Sequence, residues 1–294
     1  MELRHLRCFI AVAEERSFSR AAERLHIEQS PLSRTIKKLE SDLGVVLFER
    51  TSRGTRLTWA GQVFLEDARR VLVALEQAKT NVKAAATGYR GTLRIVLSDG
   101  IARTRLSALL ALCREEEPEV EIRLFEMPFS QQLQGLRHDL YDVGFTLADA
   151  VAPGIIAQAV WRDPLVVAVP ARHPLLAHKH LPLNEVVNYP LVLCHPEVCE
   201  GCNQQLERLL RSVDAEPTVV ERVASHDLML ALVAAGYGVG FSSAAHIEAC
   251  RSTDVIARPL AERAFTFTTY LLRPNNEPSE QLSNFIRRVG KVAT

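Results

Sequence analysis

Residues 29–39 have the side-chain types and the spacing of a helix that reads DNA. Leu32, Ile36 and Leu39 fall at i, i+4 and i+7, so one face of this predicted helix belongs to a core. At about 100° per residue, Arg34 points away from Leu32. A guanidinium on such a face can bind base edges in the major groove, while ammonium groups neutralise phosphates. The polar residues that flank Arg34 are Ser30, Ser33, Lys37 and Lys38.

A second group of residues could bind a metal ion or undergo redox chemistry. It consists of Cys194, His195, Cys199 and Cys202. Thiolates and an imidazole are ligands for soft metal ions, and a Cys-x2-Cys pair also suits thiol redox sensing. Structural zinc usually comes as two paired half-sites, and only one is evident here. A metal site, a thiol sensor and incidental cysteines therefore remain as alternatives. The other cysteines are Cys8, Cys113 and Cys250.

Short elements around residues 17–58 must position the first group. Ser17 or Ser19 can cap an alanine-rich helix, and the small Ala21 and Ala22 on its buried side let a second helix approach closely. Residues 26–28 predict the turn, and Gly44 ends the second helix. Residues 45–50 and 56–57 predict two paired strands around a basic turn, the wing.

The charge distribution decides between DNA contact and an ordinary solvated helix face. Residues 1–90 carry 16 Lys and Arg against 11 Asp and Glu, a net charge of +5. The rest of the chain carries −5, because the whole sequence has 35 of each. A neutral protein with a basic N-terminal third suits contact with phosphate through one part only.

Five segments carry a resemblance to a known family. ELRHLRCF at 2–9, SFSRAA at 17–22, PLSR at 31–34, LGVVLFER at 43–50 and LTWAG at 57–61 resemble the N-terminal signature of LysR-type transcriptional regulators. The match runs without gaps, and weaker similarity continues to the C-terminus. The resemblance implies that Gln29, Pro31, Ser33 and Arg34 touch bases or phosphates. It also implies that Arg50 and Arg53 of the wing hold the DNA backbone or the minor groove.

The chain departs from this family at Glu28, where most members carry Ser or Thr. Glutamate is a poorer helix cap than serine, and its carboxylate repels phosphate. We therefore expect Ser30 and Pro31 to act as cap and first helical residue, which would shorten the start of the helix.

Residues 59–88 predict a long helix capped by Thr58, with no proline and no interior glycine after Gln62. Its apolar stripe favours a connector that pairs with its twin over a core helix of one globular domain. The resemblance implies a linker helix that places two winged domains on one pseudo-palindromic site. The stripe consists of Phe64, Ala68, Val71, Leu72, Leu75, Ala78, Val82 and Ala85.

Residues 91–294 alternate strand and helix patterns, which predicts mostly parallel sheets with helices on both faces. The family fold implied is a two-lobed, periplasmic-binding-protein-like (type 2) domain, with lobe I at 91–163 and 268–294 and lobe II at 164–267. Predicted strands are 92–97, 120–125, 142–145, 165–170, 191–194, 219–223 and 239–241. Predicted helices are 105–116, 131–137, 203–211, 226–235 and 279–292.

The effector site is predicted from the strand ends. In open α/β sheets, ligands bind beyond the carboxyl ends of strands, where helix N-termini offer N–H groups to anions. This rule selects residues 98–101, 128–130, 146–147, 195–196 and 225–226. The alternative is that these residues only stabilise turns and helix caps and bind no ligand. From these segments the predicted effector-binding residues are Ser98, Gly100, Ile101, Pro128, Phe129, Ser130, Thr146, His195 and Ser225.

The family suggests what this site binds. Relatives that sense aromatic acids carry Ser or Thr near Gly100 and Phe129, where this chain has none. We expect Ser98 and Ser130 to replace them, with Phe129 narrowing the pocket or stacking on a ring. A carboxylate effector is therefore the prediction.

The remaining patterns exclude several classes of protein. The charged start lacks the apolar segment of a secretion signal, and no run is long enough to span a membrane. We therefore expect a cytoplasmic location with reduced thiols, which also argues against a secreted solute-binding protein. No Gly-rich phosphate loop, HExxH run or GxSxG elbow is present, which argues against an enzyme.

The resulting interpretation is an α+β multi-domain regulator without a cofactor. Residues 1–58 form a winged helix-turn-helix, 59–88 the linker helix and 91–294 the effector domain. The expected partners are double-stranded operator DNA, a second copy in a dimer or tetramer, RNA polymerase and a small-molecule effector. The alternative keeps the DNA function but places the trigger at Cys194, Cys199 and Cys202.

Overall fold

The structure, a computed structural model, describes residues 1–51, 54–86, 89–98, 100–149, 153–212, 217–250, 252–261 and 265–292. Its contacts divide the chain into two compact units. Unit 1 contains Met1–Lys83 with His138–Leu140, and unit 2 contains Ala84–Arg137 with Tyr141–Thr294. Among the described residues, no helix is both long and apolar enough to cross a membrane.

Unit 1 begins with three helices around one small apolar core. They are α1 (Leu3–Glu15), α2 (Phe18–Arg24) and α3 (Gln29–Leu43). Of the two candidate caps, Ser17 is the one used, since its hydroxyl accepts from the backbone N–H of Arg20 at 3.4 Å. Gly44 ends α3 with a φ of +71°, a left-handed conformation that glycine adopts without strain. The core includes Leu6, Phe9, Val12, Ala21, Ala22, Leu32, Ile36, Leu39, Leu47 and Phe48.

The start of α3 differs from the prediction. The helix begins at Gln29, and Glu28 is its N-cap residue without a side-chain capping bond. Ser30 and Pro31 therefore lie inside the first turn, and the expectation that Ser30 caps a shortened helix is wrong. The first four N–H groups of any helix lack an intrahelical partner, so Pro31 removes no hydrogen bond there.

The wing and the long helix follow. Strands β1 (Phe48–Thr51) and β2 (Gly54–Leu57) pair antiparallel, as the sequence predicted. The first strand begins three residues later and ends one residue later than predicted, and the second begins two residues earlier. The predicted cap Thr58 is confirmed, because its hydroxyl oxygen accepts from the N–H of Gly61 at 3.0 Å. Helix α4 then runs over Trp59–Ala86, about 42 Å at 1.5 Å per residue. Its stripe is only partly used inside the chain: Ala68 is buried, whereas Val71 is 47% and Val82 71% exposed.

The elements of unit 2 are β3 (Gly91–Leu97), α5 (Arg103–Glu116), β4 (Val120–Glu126), α6 (Phe129–Arg137), β5 (Val143–Thr146), β6 (Ile155–Pro170), a 3₁₀ turn (Pro174–Ala177), α7 (Leu183–Val186), β7 (Leu191–Cys194), α8 (Glu200–Leu210), β8 (Val219–Val223), α9 (His226–Ala234), β9 (Gly240–Ser243), α10 (Ala244–Cys250), β10 (Val255–Pro259), β11 (Thr266–Pro274) and α11 (Glu280–Lys291).

Unit 2 contains two sheets that share strand β6. One, which we call the lobe I sheet, has the order β6-β11-β5-β3-β4; the other, the lobe II sheet, pairs β6 with β9 and β10. Strand β6 belongs to both, since 155–164 pairs with β11 and 165–170 pairs with β9 and β10. The parallel pair β7–β8 meets Val239 through a bridge from Leu191.

The expectation of mostly parallel sheets is wrong. Among the strands of unit 2 that the structure describes, only the pairs β3–β4, β3–β5 and β7–β8 are parallel. Strand β6 is antiparallel to β9, β10 and β11, and β11 is antiparallel to β5. Strand β11, which the sequence patterns did not predict, contributes two of the four antiparallel pairs, and β10, also not predicted, contributes a third. Strand β6, which takes part in three of these pairs, runs through both lobes.

Candidate DNA-binding surface and effector cleft

One face of α3 is a polar surface directed to solvent. Leu32, Ile36 and Leu39 are buried in the unit 1 core, and the charged residues between them are exposed. Six of the seven predicted DNA-contacting residues in this helix are exposed, and Ser33 is half-buried. The exposed ones are Gln29, Ser30, Pro31, Arg34, Lys37 and Lys38.

The cations of this face differ in their pairing from those beside it. Arg24 and Arg69 both hydrogen-bond to Glu14, at 2.8 and 2.6 Å. Burial raises the pKa of Glu14, but the hydrogen bonds from these arginines outweigh it and leave that pKa below its ordinary value. Within the described ranges, no ion pair contains Arg34, Lys37 or Lys38. These three cations are therefore available to an anion outside the protein.

The wing residues are described only in part. Arg50 lies in β1, where its backbone is paired with Thr55. Arg53 lies outside the described residues, so its predicted contact with DNA stays a prediction. At the other end of the surface, the Ser19 hydroxyl donates to Oε1 of Gln29 at 3.3 Å and ties α2 to the start of α3.

In lobe I, two predicted effector-binding residues lie at adjacent strand ends. Ser98 follows β3 and Thr146 ends β5, its parallel neighbour. Both are buried, and both hydroxyls have local partners. The Ser98 hydroxyl donates to the carbonyl of Phe145 at 3.5 Å, and the Thr146 hydroxyl oxygen accepts from the N–H of Ala148 at 3.1 Å. In this state, both side chains stabilise the turns that end their strands.

Gly100 lies where lobe I meets lobe II. Its φ is +87°, and a Cβ built on it would lie 2.9 Å from Cε1 of His226. The absence of a side chain therefore lets the imidazole of one lobe pack against the backbone of the other. The next residue, Ile101, is buried in the main core of unit 2.

The start of α6 holds an internal carboxylate. The backbone N–H of the exposed Ser130 donates to Oε1 of Glu200 at 3.1 Å, and Glu200 is the first residue of α8 in lobe II. Pro128 is half-buried, while Phe129 is buried in a cluster with Leu136, Ala148, Ile155 and Leu272. Phe129 is therefore a packing residue here.

The two predicted residues of lobe II have local partners. Nδ1 of the half-buried His195 accepts from the N–H of Glu197 at 3.3 Å. The Ser225 hydroxyl oxygen accepts from the N–H of Leu228 at 3.3 Å and caps α9. These contacts correspond to the turn-and-cap alternative that the sequence left open.

The sequence patterns did not predict several residues whose side chains connect the two lobes. Arg103 pairs with Asp227 at 2.5 Å, and Arg208 binds Asp149 with two hydrogen bonds of 2.7 and 2.8 Å. Gln205 exchanges two hydrogen bonds with the backbone of Thr268, at 2.8 and 2.9 Å, and also donates to the carbonyl of Leu147. No local pattern marks these side chains, because each has its partner more than fifty residues away along the chain.

The cysteine cluster has an imidazole other than the predicted one. Cys194, Cys199 and His226 are buried, with ligand atoms that all lie within 4.8 Å of one another. Cys202 contacts the same ring from its other nitrogen, at 3.4 Å from Nε2. His195 is next to Cys194 in sequence but is not a member of this group. His226 lies in a segment that the strand-end rule selected, although its spacing gave no reason to join it to the cysteines.

Two known sequence families cover nearly the whole chain. Residues 3–62 match the family described as bacterial regulatory helix-turn-helix protein, lysR family, and residues 86–294 match the LysR substrate binding domain. The chain belongs to the LysR family of transcriptional regulators. Its function is therefore that of a DNA-binding transcriptional regulator with an effector-binding domain, as the sequence predicted.

Relatives of this LysR-type regulator have the same arrangement over most of their length. The uncharacterized HTH-type transcriptional regulator YnfL of Escherichia coli K12 is 32% identical over 287 residues, 97% of this chain and 96% of the relative. The HTH-type transcriptional regulator ClcR of Pseudomonas putida is 35% identical over 239 residues, 81% of each chain. The crystal structure of full-length CbnR with its target DNA matches with a TM-score of 0.75 and 29% identity, covering 100% of both chains. The predicted fold class is thereby confirmed.

Proposed function

We propose that this regulator reads its operator with the outer face of α3. Arg34, Ser33, Gln29 and Pro31 enter the major groove, where a guanidinium can bind both acceptors of a guanine. Lys37, Lys38, Arg50 and Arg53 chiefly contact phosphates, which fix the register without reading the sequence. The observation that supports this most strongly is that Arg34, Lys37 and Lys38 are exposed on one face of α3. The neighbouring Arg24 and Arg69 are instead paired with Glu14.

The exposed stripe of α4 supports self-association. Val71 and Val82 leave large apolar side chains in water, and a second copy of the helix would cover them. Two winged domains then match a pseudo-palindromic operator, and two dimers form the tetramer. We place this regulator in the cytoplasm and assign it no catalytic activity.

The experiment that tests the DNA surface compares two arginines of the same unit. We expect Arg34→Ala to weaken binding to the cognate operator by about 10–100-fold, since a bidentate base contact contributes about 1–3 kcal/mol. The matched control is Arg24→Ala, which removes the same charge from a residue paired with Glu14 and Glu15. Binding is measured by mobility shift on cognate and scrambled DNA, with circular dichroism to verify the fold. An unchanged affinity of the Arg34 variant for the cognate operator would reject the surface.

A carboxylate is the effector class that we propose for the cleft between the lobes. The support is the Glu200 carboxylate, which already accepts from the first turn of α6 across this cleft. Helix N-termini attract anions because their N–H groups are unpaired and the helix dipole is positive there. An effector carboxylate at this position would replace Glu200 and release one inter-lobe contact. Such a ligand shifts the regulator only through different affinities for the two arrangements.

The effector class is tested on the full chain by thermal shift against aromatic and aliphatic carboxylates, with their amides as neutral controls. A ligand that binds the folded state raises the apparent stability by mass action. We expect carboxylates alone to raise the melting temperature. Glu200→Gln should strengthen their binding several-fold, because the competing charge is removed while the side-chain size is kept. Equal shifts with the amides, or weaker binding by this variant, would contradict a carboxylate at α6.

A further inference from the structure

We propose that Cys194, Cys199 and His226 form a binding site for a single thiophilic cation, of which Zn²⁺ and Cu⁺ are examples. All three side chains are nearly inaccessible, at 5%, 2% and 2% exposure. Their ligand atoms lie within 4.8 Å of one another, close enough for one ion to reach all of them. This site is independent of the proposed carboxylate effector.

The distance between the ligand atoms of Cys194 and His226 agrees with binding of one shared ion. With metal–sulfur bonds of about 2.3 Å and metal–nitrogen bonds of about 2.0–2.1 Å, a tetrahedral ion places S and N about 3.6 Å apart. Cys194 Sγ lies 3.7 Å from Nδ1 of His226. This pair is therefore already at the separation that binding to one ion requires.

Cys202 has a different role because it faces the other nitrogen of the ring. Its Sγ lies 3.4 Å from Nε2 of His226. If Nδ1 binds the cation, the remaining proton must be on Nε2, which then donates to Cys202. Metal-bound histidines usually donate their second N–H in this way, which fixes the ring orientation. We therefore assign Cys202 as a positioning residue and not as a ligand.

Three elements hold the ligands in place at the carboxyl end of the β7–β8 pair. Cys194 ends β7, Cys199 is the N-cap residue of α8, and His226 begins α9. The N–H of Cys199 donates to the carbonyl of His195 at 2.9 Å, and the N–H of His195 donates to Val223 at 2.6 Å. Backbone hydrogen bonds thus fix the loop that carries Cys199 against β8, so the site is preorganised.

The donor set selects the class of cation. Two sulfurs and one imidazole suit soft and borderline ions, whereas Mg²⁺ and Ca²⁺ require oxygen ligands. Binding converts two thiols to thiolates and releases two protons to solvent. The three protein ligands leave the fourth position of a tetrahedral ion for water or another small ligand.

The site also lies at the contact between the lobes. Cε1 of His226 lies only 2.9 Å from the position that a Cβ on Gly100 of lobe I would take, and the next residue, Asp227, pairs with Arg103 of lobe I. A cation that fixes the imidazole would therefore also fix the surface against which lobe I packs.

The test is a Co²⁺ titration of the untagged full chain, followed by displacement with Zn²⁺. We expect one ion per chain, the d–d absorption of a tetrahedral site, and a thiolate-to-cobalt charge-transfer band whose intensity corresponds to two sulfurs. Cys194→Ser and Cys199→Ser should each lose this spectrum. Cys202→Ser should keep the charge-transfer intensity per bound ion but bind about 10–100-fold more weakly, as second-shell changes typically do.

Cys113→Ser is the matched control, because this thiol is also buried and lies outside the cluster. It should bind Co²⁺ as the unchanged chain does. Circular dichroism separates loss of binding from loss of folding, and the wild-type spectrum tests the ligand set even if a variant misfolds. The proposal is overturned by an absent spectrum, by an intensity that requires three thiolates, or by a folded Cys194→Ser or Cys199→Ser variant that binds as tightly as wild type.

Discussion

In unit 1, the residues proposed to enter the major groove lie on one helix, α3, and a single apolar stripe decides which way they point. In unit 2, the cleft is formed by side chains that lie far apart in sequence, such as Ser130 with Glu200 and Arg103 with Asp227. The first surface is exposed and its cations are oriented outward. The second is held by hydrogen bonds between the lobes. A change in a surface residue of α3 should therefore alter recognition alone, while a change in the cleft should alter stability and ligand response together.

The largest effect should come from the stripe that orients the DNA surface. Leu32→Ala removes a fully buried side chain and should lower the free energy of unfolding of unit 1 by about 2–5 kcal/mol. The control is Leu43→Ala at the exposed end of the same helix, which should cost far less. Denaturant unfolding followed by circular dichroism measures both. Similar losses in the two variants would show that the stripe does not anchor α3.

A comparison of alanine substitutions at two glycines tests the contact between the lobes. Gly100 and Gly154 share a φ of +87°, but only at Gly100 would a Cβ meet another side chain, Cε1 of His226 at 2.9 Å. Each alanine variant should lose about 1–3 kcal/mol through backbone strain. Gly100→Ala should lose more than Gly154→Ala and should also change the affinity for the effector. Equal losses with unchanged effector binding would mean that this contact does not couple the lobes.

A smaller effect, equal for all DNA sequences, is expected from substitution of Lys37. Lys37→Ala should weaken binding to cognate and scrambled DNA alike and reduce the slope of log affinity against log salt by about 1. Lys79→Ala on α4, where the lysine pairs with Glu76, is the control and should leave the slope unchanged. Titrations at several salt concentrations give both slopes. A loss confined to the cognate sequence would instead assign Lys37 to base reading.

The smallest effect should come from the exposed bridge between Arg103 and Asp227. Both side chains are at least half exposed, so Arg103→Ala should cost no more than about 1 kcal/mol. Burial raises the pKa of Asp227, but hydrogen bonds from Arg103 and His246 outweigh it and lower that pKa below its ordinary value.

The contribution of this bridge is therefore present above the ordinary carboxyl pKa and is lost as the pH falls through the lowered one. The unfolding free energy of the wild-type chain should fall more over that acidic range than that of Arg103→Ala. Parallel pH profiles for the two chains would remove the bridge from the contacts that hold the lobes.

Local patterns were sufficient for several residues that act through their own element, although they misplaced the start of α3. Strands β7 and β8 have the predicted limits, and the caps of α2 and α4 are Ser17 and Thr58 as predicted. For α2 the sequence left Ser17 and Ser19 as alternatives, and the structure uses Ser17. These features depend on turn chemistry and on apolar runs, which are visible over a few residues. The first half of β6 was missed because Pro164 interrupts the run, although the structure keeps it in the strand opposite Thr266. Proline ends a strand only where the sheet requires its N–H.

The sequence by itself determined the family, the winged helix-turn-helix and the outward direction of Arg34, because a 3.6-residue period leaves only one side of α3 for the core. Only the tertiary structure decided that His226, and not His195, joins Cys194 and Cys199. It also decided that Glu200 reaches the start of α6. The pairing of side chains from distant segments depends on how the strands and helices pack, which neighbouring residues in the sequence do not specify.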